Sequence, residues 1–160
     1  MAEELVSNFY KLSDSQWLHA RYDVKTLVDL ALDEIVDGPF AQIIRYEAQR
    51  RNTSLGSGSY DFYKICIQDH AILAAIRESS GIQLFAFVLY IGTHELIHIV
   101  RFSKFIQNFN ASAANRMVEE NRVHALTRQI LEGLSTPGLP QVFEFYRRWR
   151  PAFAELQQPA

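Results

Sequence analysis

Residues 84–100 read LFAFVLYIGTHELIHIV, an apolar run whose polar members, Thr93, His94, Glu95 and His98, fall together in its second half. Its length approaches that of a membrane-spanning helix. Two imidazoles and a carboxylate are costly inside a bilayer, and the chain carries no second run of this kind, so the stretch reads as a core helix of a protein with no membrane partner. The expected helix extends from Ile82 to about Phe105 and is apolar nearly all round, the mark of an element covered on every side.

Working outward, Ser79-Ser80-Gly81 breaks the chain before this helix, and a further helix is expected through His70 to Glu78. Tyr60–Gln68 (YDFYKICIQ) stays open between a short strand, favoured by its aromatic and β-branched content, and the opening of that helix. Asn52–Ser59 is a loop rich in turn-forming residues. Asp37-Gly38-Pro39 is a break from which a helix runs from Pro39 to about Arg51. Residues 14–36 suggest another helix, capped by Ser13 or Asp14, with Trp17, Leu18, Leu27, Leu30, Ala31 and Ile35 as apolar positions. On the other side, Asn108–Ser112 makes a turn, a helix spans Ala113–Leu134, Ser135–Pro140 is a firm stop, and a last helix runs from Gln141 to near Leu156. The expected fold is mainly α, one domain over residues 1–160, with at most a short β element near residues 60–68.

The 160 residues are 48% hydrophobic and 21% charged, an ordinary globular balance. Sixteen basic against eighteen acidic side chains give a formal charge of −2, which provides no general attraction to nucleic acid or to an anionic surface. The basic cluster Arg147-Arg148-Trp149-Arg150 is too short to change this and reads as a solvated helix face. Cys66, the single cysteine, lies between Ile65 and Ile67 and is expected in the core. The N-terminus Met-Ala-Glu-Glu-Leu lacks the basic start and apolar run of an export signal, so the expected location is the cytoplasm.

His94-Glu95-Leu96-Ile97-His98 carries the chemistry. Two imidazoles four residues apart share one helix face, one turn apart, the spacing at which both reach a single zinc ion. Glu95 lies beside that ion without having to ligate it. There it can accept a proton from a zinc-bound water, whose pKa falls toward about 7, and later pass it to a leaving group. A third ligand is needed. At about 100° per residue, Asn115, Arg122 and Gln129 mark the polar side of helix 113–134. Ala113, Met117, Glu120, His124, Thr127 and Leu131 mark the opposite side. Glu120 and His124 therefore face the core, where an unpaired charge is expensive, and Glu119 points away. Glu120 is the expected third ligand. Tyr90, one turn before His94, either packs in the core or steadies an oxyanion; His19 and His70 read as structural or exposed.

The uncharged flanks of the motif, Ile91 to Thr93, Leu96, Ile97, Ile99 and Val100, resemble the motif helix of the zincin metallopeptidases. A glutamate on a downstream helix resembles their gluzincin branch, in which such a residue completes the site. The resemblance implies a zinc metallopeptidase acting on a peptide or protein, with Glu95 as general base. Twenty-one residues separate His98 from Glu120, a little longer than in that branch, and the position one turn later holds His124 where the branch has a carboxylate. His124 is then a partner that orients a ligand, an extra ligand, or a substitute for Glu120. Other branches fit less well, since positions 101, 102 and 104 are Arg, Phe and Lys.

Two rival readings remain. A zinc closed by a fourth ligand, His124, would give a non-catalytic metal-binding or regulatory protein. Glu95-x-x-His98 is also an element of di-iron carboxylate bundles, but these need a second Glu-x-x-His. Residues 16, 67, 91 and 121, three before each remaining His, are Gln, Ile, Ile and Asn. Two His and one carboxylate suit iron and other first-row metals as well as zinc.

Overall fold

The computed structural model describes residues 1–16, 21–49, 59–104 and 106–156. It is mostly helical, with a small three-stranded sheet on one side. Helix α1 (Ala2–Tyr10) is followed by strand β1 (Tyr22–Lys25), then β2 (Ala41–Gln49) and β3 (Ser59–Ile67). Four helices complete the chain: α2 (Asp69–Glu78), α3 (Leu84–Ser103), α4 (Ala113–Leu131) and α5 (Leu139–Leu156).

Helix α3 is the axis of the molecule. Phe87, Ile97, Ile99 and Val100 are almost wholly inaccessible, and α1, α4, α5 and the sheet all pack against it. Each such side chain contributes roughly 1.5–3 kcal/mol by leaving water. Its polar groups are satisfied locally: the Thr93 hydroxyl donates to the Leu89 carbonyl at 2.7 Å and Ser103 to that of Ile99 at 2.8 Å. Among the described residues α3 is the one helix long and apolar enough to cross a membrane, and 72% of that stretch is buried within the protein. The expected core helix is thus observed, shortened at each end. Helix α4 begins where the sequence places it, with Ser112 Oγ accepting from the Asn115 amide. At the start of α5, Gly138 adopts φ +88°, and a Cβ there would meet the Gln83 side chain at 3.0–3.1 Å, so glycine is required.

The first third of the chain differs from expectation. No helix spans 14–36. Asp14–Gln16 is a single 3-10 turn, Tyr22–Lys25 pairs in parallel with Tyr63–Cys66, and two more 3-10 turns cover Leu27–Asp29 and Leu32–Glu34. The apolar spacing at Leu27, Leu30 and Ala31 imitates a helix face. The backbone groups are taken by side chains instead: Asp69 accepts from the Leu27 amide, Glu34 from Ala31, and the buried Gln68 amide bridges Val36 N–H and the Glu34 carbonyl. Val28 and Leu32 stand in solvent.

The helix expected from Pro39 to Arg51 is also absent. Ala41–Gln49 is strand β2, paired antiparallel with β3 from Ala41↔Ile67 to Gln49↔Ser59. Ile43, Ile44 and Tyr46 fit a strand, and a nine-residue ladder with a central partner outweighs the local preference. The open segment at 60–68 resolves as β3, the central strand, with Tyr63 and Ile65 turned into the core. Asn52–Gly58 of the expected loop, and His19, lie outside the described residues. The sheet is therefore three strands, larger than the single short β element expected, and α1, held by the buried Val6, is an element the sequence reading did not contain.

Candidate metal centre

His94 and His98 emerge from α3 toward α4, and Glu120 meets them. Their donor atoms crowd together: His94 Nε2 to His98 Nε2 is 3.2 Å, and the two Glu120 oxygens divide between the rings, Oε2 lying 3.2 Å from His94 Nε2 and Oε1 3.1 Å from His98 Nε2. Tetrahedral zinc with bonds of about 2.0–2.1 Å separates its ligand atoms by roughly 3.3 Å, close to these spacings. Two imidazole nitrogens facing each other at 3.2 Å can share only one hydrogen, an arrangement that a cation between them resolves.

His124 extends the group. Its ring centroid lies 4.3 Å from that of His94, and His94, Glu120 and His124 each offer a donor atom within 4.8 Å of the others, so this buried group could hold a metal ion. Two triads thus share His94 and Glu120. His94 stands between the other two imidazoles, its ring centroid 4.8 Å from that of His98 and 4.3 Å from that of His124. The His124 Nδ1 is hydrogen-bonded to the Tyr90 hydroxyl at 2.8 Å, which leaves Nε2 as the nitrogen it can offer to an ion. Tyr90 therefore positions His124, a role its spacing from His94 did not suggest. On the other side, His98 Nδ1 meets the Gln107 amide oxygen at 3.0 Å, which orients the ring with Nε2 toward Glu120. His94 Nδ1 is buried with no hydrogen-bond partner among the described residues.

The electrostatics follow from crowding these groups in a buried place. Burial alone would lower the His98 imidazole, but the Glu120 carboxylate, helped by Glu95 and Gln107, outweighs it and holds the ring up at about 9. Burial would raise Glu120, yet its contacts with His94 and His98 pull it well below the ordinary carboxylate range. Glu95 makes no hydrogen bond among the described residues, and burial raises its carboxyl, with partial relief from the two imidazoles. Burial, reinforced by Tyr90 and the two glutamates, keeps the Tyr146 phenol neutral far above its usual range. Tyr146, from α5, stacks on Tyr90 with ring centroids 4.1 Å apart and closes the back of the site.

All five residues singled out from the sequence, His94, Glu95, His98, Glu120 and His124, line one cavity of about 280 Å³. Its remaining wall comes from the entry to β2 (Pro39–Ile43), Ile91 and Phe102 of α3, the turn after α3, Arg116 of α4 and Tyr146 of α5. His70 is remote and bonds the Val36 carbonyl, as a structural histidine does. Cys66 is a buried core residue.

The position of Glu119 corrects the sequence reading. Rather than pointing away, it receives a two-pronged contact from the buried Arg101 at 3.0 and 3.1 Å and a third from Arg122 at 2.6 Å. This pair ties α4 to α3 one residue before Glu120 and so sets the register of the third donor. An arginine following the apolar run of α3 was the sequence signal for it, because a cation at the end of a buried helix needs a partner. Gln107 and Tyr146 carried no comparable signal. No protein-family model, curated protein or solved structure matches the chain, and the chemistry of the site is carried by its own donor set.

Proposed function

We propose that this chain is a zinc-dependent hydrolase of the zincin type, most simply a metallopeptidase, with His94, His98 and Glu120 as ligands. The observation that carries the reading is the cluster of His94, His98 and Glu120 donor atoms at 3.1–3.2 Å, opening into a cavity also lined by Glu95, a carboxylate with no hydrogen bond among the described residues. Zinc bound there would act as a Lewis acid and supply a water that is a usable nucleophile near neutral pH. Glu95, adjacent in sequence to His94 and lining the same cavity, would accept a proton from the attacking water as its oxygen bonds to the carbonyl carbon, and would give that proton to the leaving nitrogen when the C–N bond breaks. Tyr146, a neutral phenol on the cavity wall, can donate to an oxygen that gains charge. Gln107 and Tyr90 hold the His98 and His124 rings in their tautomers.

Metal analysis and a single variant test this. The purified chain should hold one zinc, lost in His94→Ala and His98→Ala. Glu95→Gln should keep the zinc while lowering hydrolysis of a peptide substrate by about 10²–10⁴-fold. Zinc loss in Glu95→Gln would make Glu95 a ligand and favour iron, and full activity would place the chemistry elsewhere. A second reading is favoured by the placement of His124: as a fourth ligand it would close the coordination sphere and make the zinc structural. The three-stranded sheet departs from the four-helix architecture of di-iron proteins.

A further inference from the structure

Outside His94, Glu95, His98, Glu120 and His124, the side chains lining the cavity are uncharged with one exception, Arg116. It stands on α4 four residues before Glu120, one turn along the same face. The other arginines of α4 are engaged, Arg122 by Glu119 at 2.6 Å and Arg128 by Glu132 at 4.0 Å and the Phe143 ring. Arg116 makes no ion pair with a described residue, although it borders a cavity that contains two carboxylates. Its guanidinium is a planar, permanently charged fork, the group best matched to a carboxylate.

Arg116 and Glu120 are separated by about 6 Å of helix rise, a distance that one to two residues of extended chain at about 3.3–3.6 Å each would span. The cavity, at about 280 Å³, sits at the lower end of small-molecule sites, which begin near 300 Å³. Phe40, Ile43 and Phe109 supply apolar walls. Taken with the hydrolase reading, on which this rests, we propose that Arg116 is a specificity residue for the free C-terminal carboxylate of short acylated substrates, held one or two residues beyond the bond that is cut. The substrate class is then N-acyl amino acids and the ends of peptides rather than internal segments of a folded chain.

A pair of probes separates this inference from the reading beneath it. A succinyl hydroxamate linked to phenylalanine offers a zinc-binding group at one end and a carboxylate at the other; its twin ends in a carboxamide. Calorimetry on the zinc-loaded protein should show the carboxylate probe binding about tenfold or more tighter than the twin. Arg116→Gln, an exposed position whose change leaves the fold and zinc content intact, should bring the ratio close to one, and Arg116→Lys should leave an intermediate ratio. Equal affinities for the twins in the unaltered protein, or an undiminished ratio in Arg116→Gln, would overturn the carboxylate assignment while leaving the metal site standing. Binding of neither twin to zinc-loaded protein, or no zinc uptake at all, would overturn both.

Discussion

Removing Glu119 should unfold this protein more readily than any other single surface-side change on α4. Arg101 and Glu119 keep only 7% and 13% of their side chains accessible, and the guanidinium makes two contacts to the carboxylate. Glu119→Ala leaves the Arg101 charge buried without its partner. Breaking a buried pair from one side costs about 3–5 kcal/mol, and the loss of the Arg122 contact belongs at the solvated end of the scale. A cost near 3 kcal/mol is expected, since Glu119 retains an exposed rim. For a chain of this length that corresponds to a fall in Tm of roughly 6–12 °C. The assay is thermal and urea unfolding in the presence of a chelator. The chelator keeps the comparison to the metal-free fold, since zinc at a hundredfold excess over its Kd would add about 2.7 kcal/mol to whichever protein binds it. A loss below about 0.5 kcal/mol would show that Arg101 is solvated and the pair is no anchor. The double change Arg101→Met/Glu119→Met should recover most of the stability; if it costs as much as the single variant, the loss lies in packing and the charge argument fails.

Four further outcomes are expected. Glu120→Ala should weaken zinc binding by orders of magnitude while Glu119→Ala weakens it through lost register; competition against a zinc-sensitive dye orders the two, and equal affinity in Glu120→Ala and the unaltered protein would remove Glu120 from the ligand set. Because Glu120 holds His98 at about 9 in the metal-free protein, zinc uptake well below pH 9 should release close to one proton from that ring, falling toward none as pH rises through about 9. Calorimetry in buffers of different ionisation enthalpy reads this. The same raised ring contributes stability that is full below its ordinary value of about 6.5 and lost as pH climbs through about 9, so urea midpoints of metal-free protein should fall across that window. His124→Ala should cost roughly 10–100-fold in zinc affinity or activity if Tyr90 merely orients it beside the ion. A gain of hydrolysis in that variant would show that His124 closes the site.

The site was more legible in the sequence than the fold. Spacing on one helix is local, so His94, Glu95 and His98 needed only the helical period, and α3 was apolar enough to fix that period. Glu120 and His124 followed from the wheel of α4, whose polar and buried sides the structure keeps, with Val123, His124, Thr127 and Leu131 inward. Glu119 was misplaced because the wheel counts only solvent and core. Its surroundings are a third case, a buried cation delivered by another helix. The N-terminal third was misread for a related reason. Leu27, Leu30 and Ala31 repeat at helical spacing, but what decides the segment is β3, more than thirty residues away, with Gln68 and Asp69 at its end taking the backbone groups. Strand β2 likewise exists through its ladder with β3, a non-local partner that no window over residues 39–51 contains.

The arrangement of charges sets the two carboxylates of the cavity apart. Glu95 and Glu120 face the same cavity, and burial together with the Glu120 charge pushes the Glu95 carboxyl upward. Glu120 and Glu95 are thus driven apart: contacts with His94 and His98 pull Glu120 well below the ordinary carboxylate range, while burial moves Glu95 the other way. A divalent cation at these donors would add a positive charge beside Glu95, and an opposite charge at such range lowers a carboxyl by roughly one to three pKa units. Under the proposed hydrolase function, loading the ligands would therefore favour the ionised form of Glu95, the form that accepts a proton. That coupling would arise from the adjacency of Glu95 to His94 within one turn of a buried helix.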